Sequence, residues 1–561
     1  MSWHSEFDLV IVGSGAAGMA CALRAHDLGA SVVVLEKSPH YGGSTAMSGG
    51  VVWVPDNPQM KTRGVSDSPE ESLTYLREIT EGQVPEARIQ AYVDNAKRVL
   101  AYFEEHSHLR LDSLEKYTDY YPERPGGKPG GRSMEPIPFD ASVLGEQFEL
   151  LRKPHPQSQV LGKFGISARE AHKYLVNSLS SKMLLFWRLV QYGLRWPSRR
   201  GFSRDTRLFA GNSLIARLRR SLMDRDVPVW LGVGAEDLVI DHGEVTGVVT
   251  DDGRRLRARK GVLLGAGGFG SNAQLRGQHQ PAITSTTWTA ANPYSQGKGI
   301  ELGRAAGGAV DFMHDAWWTP TTKVPKSDLA WVLVVEKNLP GGFFVDAGGK
   351  RFTNEAAPYL DVVKGMLAND AVVGHEGGPG CWLVFDAEFR HLYPVGPVAP
   401  GYAQPDSRIS RRLREGFLKR GKSLEELADA IHVPREAFLA TIERFNEQAD
   451  RGKDEDFGRG DSAADRYYGD PRVQPNPCMR ALRKGPFYAI PVFAGDLGTK
   501  GGLVTDASAR VLDADNNPIP GLFAAGNTSS AVMGPSYPGA GGTIGPALTF
   551  GFIAAETACP S

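Results

Sequence analysis

Phe7-Asp8-Leu9-Val10-Ile11-Val12 runs straight into Gly13-Ser14-Gly15-Ala16-Ala17-Gly18, and no other stretch narrows so far what this chain can fold into. The first six residues have the pattern of a short buried strand. An alanine-rich helix is expected over residues 19–28, then a second strand over 31–35 that ends on Glu36 and Lys37. Strand, G-x-G-x-x-G, helix, strand and acid thus follow in the order a dinucleotide requires. Gly13 permits the tight turn, Gly15 lets the backbone approach a pyrophosphate, and Gly18 allows close helix–strand packing. Around Ser14, Ala16 and Ala17 the helix N-terminus offers N–H groups and a positive dipole end to phosphate. Glu36 is placed to accept hydrogen bonds from an adenosine ribose.

The rest of the chain favours FAD over NAD. Gly42-Gly43-Ser44-Thr45, followed by Ser48-Gly49-Gly50, is a loop whose glycines and hydroxyls can follow a pyrophosphate and ribityl chain. Far downstream, Gly521-Leu522-Phe523-Ala524-Ala525-Gly526-Asn527 reads as a buried strand that delivers a glycine turn. Gly541-Gly542-Thr543-Ile544-Gly545 then opens a final small-residue helix through Ala555, a second N-terminus aimed at the flavin. In the middle, residues 227–233, 236–241 and 244–250 alternate and turn like a small antiparallel sheet. Val233 and the strand ending in Gly265-Ala266-Gly267-Gly268 are expected under the adenine half.

These pieces predict an α/β protein. A discontinuous, Rossmann-like FAD-binding domain spans residues 1–285 and 485–561, and an α+β catalytic domain (286–484) is inserted in it. A chain of 561 residues is long enough for more than one core. Within the insert, Ser423-Leu424-Glu425-Glu426 is a capping box, Pro434 suits a first helical turn, and Phe438, Ile442 and Phe445 repeat at core spacing. Residues 450–477 are charged and proline-containing, and read as a long surface loop.

With 63 basic against 64 acidic residues, nothing points to nucleic acid. Cys21, Cys381, Cys478 and Cys559 lie far apart with no CxxC pair, so neither a disulfide framework nor a metal site is expected. Without a convincing signal segment or a long apolar run, the chain reads as cytoplasmic. One segment departs from a cofactor domain. Over 176–207, Met183, Trp187, Val190 and Leu194 fall on one side of a helix, and Arg188, Gln191 and Arg195 on another. Lys182, Arg188, Arg195, Arg199, Arg200, Arg204 and Arg207 make the segment basic. It suits the inner face of a membrane, or else packs on the body or on a second subunit.

Asp119-Tyr120-Tyr121, Pro358-Tyr359, Ser536-Tyr537-Pro538-Gly539-Ala540-Gly541 and Asp496-Leu497-Gly498-Thr499-Lys500-Gly501-Gly502-Leu503 join the flavin motifs in one pattern. Together they closely resemble the 3-ketosteroid Δ1-dehydrogenases, over nearly the whole chain. Soluble fumarate reductases carry an arginine four residues after the glutamate in such a segment, where Glu355 is followed here by Tyr359. The resemblance implies Tyr359 as the base for the C2 proton, Tyr120 as its hydrogen-bonded assistant, and Tyr537 with the Gly541 N–H as holders of the C3 carbonyl. Tyr121 is the rival of Tyr120. A tyrosine of pKa ~10 is a poor base at neutral pH, so a lowered pKa is expected at Tyr359. The implied partners are a 3-ketosteroid and an external electron acceptor, either a quinone or a carrier. Three other readings remain: a dicarboxylate oxidoreductase, a ketosteroid dehydrogenase acting at the 4,5 bond, and a non-catalytic flavin-binding partner.

Overall fold

The computed structural model describes residues 2–160, 162–175, 179–196, 200–283, 285–373 and 379–560, with side chains at all of these but 172–181. Ser5–Val12 and Val32–Glu36 pair in parallel, Leu9 opposite Val32 and Val12 opposite Leu35. Arg255–Leu264 lies on the other side of the first strand, and Pro518–Ala524 adds in parallel to its last three residues. The strands are Val-, Ile- and Leu-rich because both faces of this parallel layer are buried. Residues from both ends of the chain therefore share one sheet. Helix Ala16–Asp27 packs on helix Ile544–Ala558 so closely that a Cβ at Gly551 would stand 2.3 Å from the Ala17 carbonyl oxygen. Arg24 and Glu556 close that contact at 2.7 Å.

One strand expectation is corrected. Ala235–Asp241 and Glu244–Thr250 do form an antiparallel hairpin, but Val229–Leu231 pairs in parallel with Val32–Glu36 on the opposite edge. Its short apolar pattern fits either neighbour. Gly232, at φ +70°, turns the chain away across the sheet edge.

A second, antiparallel sheet is organised by the long strand Phe487–Thr499. Ala316–Thr322 pairs with its C-terminal half, and Cys381–Phe385 and Lys419–Gly421 with its N-terminal half. Gly342–Asp346 and Trp331–Val332 complete it. Behind the sheet, Phe438, Ile442 and Phe445 are buried on helix Arg435–Arg451, whose N-cap is Pro434. Ser423 accepts from the Glu426 N–H, while Glu426 reaches back to the Lys422 N–H at 2.7 Å.

Residues 450–477 are not a surface loop throughout. Arg459, Asp454, Asp465, Asp470 and Asn476 in it are buried, and helix Ala463–Tyr467 lies within it. The charges enter the interior because they pair there with residues far away in sequence.

Helix Leu179–Leu194 has its apolar side outward: Met183, Phe186, Trp187 and Leu194 are each more than half exposed. Its one arginine, Arg188, pairs with Glu170, and Arg195 just past its end pairs with Asp140 at 2.7 Å. Residues 176–178 and 197–199, including Arg199, lie outside the described residues. Among the described residues, no helix is long and apolar enough to cross a membrane.

Candidate functional site

A cavity of about 450 Å³ runs from the G-x-G-x-x-G turn to the second sheet. At one end the chain has shaped a cradle. Gly13, at φ +107°, could not carry a Cβ, which would fall 2.3 Å from the Gly265 carbonyl oxygen. A Cβ at Gly15 would meet nothing nearer than Thr45 Oγ1 at 3.8 Å, which leaves the space a pyrophosphate needs beside the first turn of the helix. Glu36, itself buried, accepts from the Ser14 hydroxyl at 2.5 Å and the Ser38 N–H at 3.0 Å while lining the cavity. Thr45 Oγ1 accepts from the Ala16 N–H at 3.3 Å, which brings the hydroxyl-rich loop against the fingerprint.

Most of the expected cofactor residues line this cavity: Gly13, Ser14, Gly15, Ala16, Ala17, Glu36, Lys37, Gly43, Ser44, Thr45, Ser48, Gly49, Gly50, Val233, Ala266, Gly267, Gly268, Gly526, Asn527, Thr543 and Ile544. Gly18, Gly42 and Gly542 do not. Gly18 packs against the Gly13 carbonyl, the Gly42 N–H donates to Ser14 Oγ at 2.9 Å, and the Gly542 N–H donates to Gly539 at 3.1 Å. The donors and the open cradle fit FAD.

At the other end three tyrosine rings meet. Tyr120 and Tyr359 have centroids 5.2 Å apart, Tyr120 and Tyr537 5.2 Å, Tyr359 and Tyr537 5.4 Å. The Tyr120 hydroxyl donates to the Tyr359 hydroxyl at 2.9 Å. Tyr121 instead bonds Asp361 at 3.1 Å and does not line the cavity. Tyr117 also lines the cavity, and its hydroxyl lies 2.7 Å from the Tyr468 hydroxyl. Gly541 lines the same cavity at φ +95°, and a Cβ there would stand 2.4 Å from the Trp53 backbone nitrogen. Its N–H has no acceptor among the described residues.

Each tyrosine is held from behind by buried charge. Tyr359 is the first residue of helix Tyr359–Leu367. The irregular segment before it is pinned by Glu355, which pairs with Arg351 at 2.9 Å and Arg459 at 3.0 Å. Lys337 Nζ donates to the Glu355 and Ala357 carbonyls at 2.9 and 2.6 Å. Asp119, beside Tyr120, accepts from Trp53 Nε1 and Arg132, both at 2.8 Å. The Tyr120 N–H and the Tyr75 hydroxyl both donate to the Pro538 carbonyl, which ties this segment to the Tyr537 turn.

The expected lowered pKa at Tyr359 is corrected. Burial pushes it well above the usual phenol range, and nearby Tyr537 pushes the same way. The Tyr120 hydrogen bond lowers it, but desolvation is the larger influence. Burial raises Tyr537 as well. The resting cluster is neutral phenols.

Sequence reasoning missed a side wall made by His155, Gln157, Val332 and Val334. The Gln157 side-chain amide grips the Val332 backbone, its Nε2 donating to the carbonyl at 2.6 Å and its Oε1 accepting from the N–H at 2.9 Å. No motif marks these residues, because the wall joins two segments about 175 positions apart. Tyr294, Ser295 and Lys298 also line the adenine side without a local signature. Among the described residues, no cluster of His, Cys, Asp and Glu could hold a metal ion.

The FAD binding domain family matches residues 8–544 of this chain. A 3-oxosteroid 1-dehydrogenase of Mycolicibacterium smegmatis is 43% identical over 98% of the chain and 96% of its own length. The structure of a 3-ketosteroid Δ1-dehydrogenase from Sterolibacterium denitrificans, in complex with 1,4-androstadiene-3,17-dione, superposes with a TM-score of 0.95 at 43% identity, covering 99% of each chain. A 3-ketosteroid-Δ4-(5α)-dehydrogenase from Rhodococcus jostii shares the fold, with a TM-score of 0.66 at 20% identity over 100% of this chain and 98% of that one.

Proposed function

This chain belongs to the FAD-dependent 3-oxosteroid 1-dehydrogenases, and on that premise we propose how its own residues carry the 1,2-desaturation of a 3-ketosteroid. The observation that carries the reading is the meeting of the Tyr120, Tyr359 and Tyr537 rings in the cavity that Gly541 and the dinucleotide cradle also line. FAD, which the Gly13–Gly15 turn, Glu36 and the Ser44-Thr45 loop would hold, would supply the hydride acceptor for C1. The Tyr537 hydroxyl and the Gly541 N–H hold the C3 carbonyl. As it gains enolate character they act as an oxyanion hole, in which one donor is typically worth about 3 kcal/mol. Polarising that carbonyl acidifies C2, and Tyr359 takes the C2 proton.

Because Tyr359 rests as a phenol, its own proton leaves as the new one arrives. It passes to solvent through the cavity, and Tyr120, whose hydroxyl donates to that of Tyr359 at 2.9 Å, holds the phenol in place for the exchange. An external acceptor, a quinone or a carrier, takes the electrons onward.

The test is anaerobic mixing of flavin-loaded protein with a 4-en-3-one steroid. Bleaching of the flavin with a 1,4-dien-3-one product is expected. An unbleached flavin that fumarate reoxidises after dithionite reduction would mean dicarboxylate chemistry. Loss of hydrogen at the 4,5 bond of a saturated ketone, without 1,2 product, would assign the sister activity.

The outward apolar side of helix Leu179–Leu194 supports a second element of the reading: contact with a membrane surface. The same segment carries Arg200, stacked over exposed Trp196 at 4.3 Å, an arrangement suited to the headgroup layer. Flotation with anionic phospholipid vesicles is expected for the wild type and lost in a Trp187→Ser, Leu194→Ser variant. Identical behaviour of the two proteins would remove this element and leave the chemistry standing.

A further inference from the structure

The segment from Asp496 to Leu503 has so far been given no task. Asp496 closes a buried knot with Arg276 and with Thr289, whose hydroxyl is at 2.8 Å. Lys500, four residues on, is fully buried, and its side chain lies under the turn that carries Tyr537. Its Nζ stands 3.1 Å from Asp315 Oδ2 and donates to the Ser536 carbonyl at 3.0 Å. The same ammonium lies 5.0 Å over the Trp317 ring, and Trp317 meets the Tyr537 ring edge-on at 4.8 Å.

Asp315 is itself fixed, by Trp318 Nε1 at 2.6 Å and by the Ala316 N–H at 2.8 Å. The Lys500 backbone is held on both sides, its N–H by the Asp315 carbonyl and its carbonyl by the Ala531 N–H. Burial brings the lysine pKa down to about 8, with the Asp315 carboxylate pulling the other way.

Bracing the Ser536 carbonyl needs only a neutral donor, and a buried cation is an expensive way to supply one. What a cation adds is potential. The Lys500–Asp315 pair is a fixed dipole whose positive end abuts the Tyr537 turn. The carbonyl held by Tyr537 becomes more negative as the C2 proton leaves, in a site where water screens little.

We propose that Lys500 is a positioning residue of the desaturation site: clamped between the Asp315 carboxylate and the Ser536 carbonyl, its ammonium aims the Tyr537 hydroxyl and stabilises the enolate growing at the steroid C3 oxygen. This rests on the steroid reading given above.

The test replaces the pair by neutral residues of similar size, Lys500→Met with Asp315→Asn, so that no buried charge is left unpaired. Three quantities are measured: flavin content, steady-state turnover, and the ionisation of a bound steroid with a phenolic A ring, followed by its ultraviolet absorbance. The phenol oxygen takes the place of the C3 oxygen, so its titration reads the potential there. Flavin content is expected to stay at the wild-type level. kcat is expected to fall about 30-fold with KM within about threefold, and the bound phenol to titrate about one pH unit higher.

Turnover kept within about threefold overturns the proposal. Turnover lost with the phenol titrating as in the wild type also overturns it, because that is a brace without potential. Lys500→Gln with Asp315→Asn, which keeps a neutral donor near the Ser536 carbonyl, supplies the same readings if the first double variant does not fold. Failure of the wild type to desaturate any ketosteroid strikes the steroid reading, and the wild-type control reports that separately.

Discussion

The two ends of the cavity solve different physical problems with different materials. The cofactor end is built from backbone: Gly13 and Gly15 clear a space, and the first turn of a helix faces it. Phosphate recognition asks for N–H groups and close approach, and side chains would be in the way. The tyrosine end is built from side chains brought in by segments around residues 120, 359 and 537, and behind each lies buried charge: Asp119 with Arg132, Glu355 with Arg351 and Arg459, Asp315 with Lys500. Proton transfer needs hydroxyls fixed relative to a substrate carbon, and a small misplacement there is costly. These buried ion pairs serve position, and at Lys500 potential, rather than stability.

That contrast can be broken. Tyr359→Phe carries the largest expected effect, a fall in kcat of about 10³-fold, with flavin content and steroid binding nearly unchanged. Stopped-flow reduction alongside equilibrium titration measures both, and loss of flavin with the hydroxyl would mean that the two ends are not separable. Arg459→Met comes next. It removes bonds to the Glu355 carboxylate and to the Gly342, Lys337 and Leu339 carbonyls. It is expected to cost about 3–5 kcal/mol in chemical denaturation, and activity is expected to be lost at lower denaturant than flavin.

Gly13→Ala probes the other end. With φ +107° and the Gly265 carbonyl oxygen 2.3 Å from a Cβ, the turn must shift. FAD affinity is expected to fall about 10- to 100-fold, with the near-ultraviolet signature of the tyrosines kept.

The smallest effect sharpens the comparison through pH. Burial raises the Glu336 carboxyl from 4.5 to about 7, and the nearby Gly396 N–H only partly offsets it. The folded state thus keeps a proton that the unfolded chain releases, so the stability involved is present below about pH 4.5 and is lost as pH rises through 7. Glu336→Gln is expected to gain about 1–3 kcal/mol at pH 8 and almost nothing at pH 4.5. A gain equal at both pH values would show that the carboxyl is not the cause.

The same contrast explains what could be read in advance. The cradle was legible because its parts are neighbours: residues 13 to 18 and Glu36 form one local pattern whose geometry follows from glycine and the helix terminus. The tyrosines carry no local signature. Tyr359 stood out only through resemblance, and nothing near it announced that burial would keep it a phenol. Residues 450–477 were misread because charge and proline mark a surface loop, whereas Arg459 and Asp465 find their partners about a hundred positions upstream. Val229–Leu231 was assigned to the wrong neighbours because alternation reports a strand and not the strand beside it.

The pairing of Ser5–Val12 with Arg255–Leu264, and of that strand with Pro518–Ala524, also governs how the protein is made. The first strand leaves the ribosome long before the strand that flanks it, and helix Ile544–Ala558 emerges long after the helix it packs on. At roughly 5–20 residues per second, a newly born dinucleotide turn waits on the order of half a minute to two minutes for its final wall. Through that interval the apolar helix Ala16–Asp27 lacks the helix it packs on. Until that helix arrives, the exposed apolar face is a surface that chaperones would have to cover.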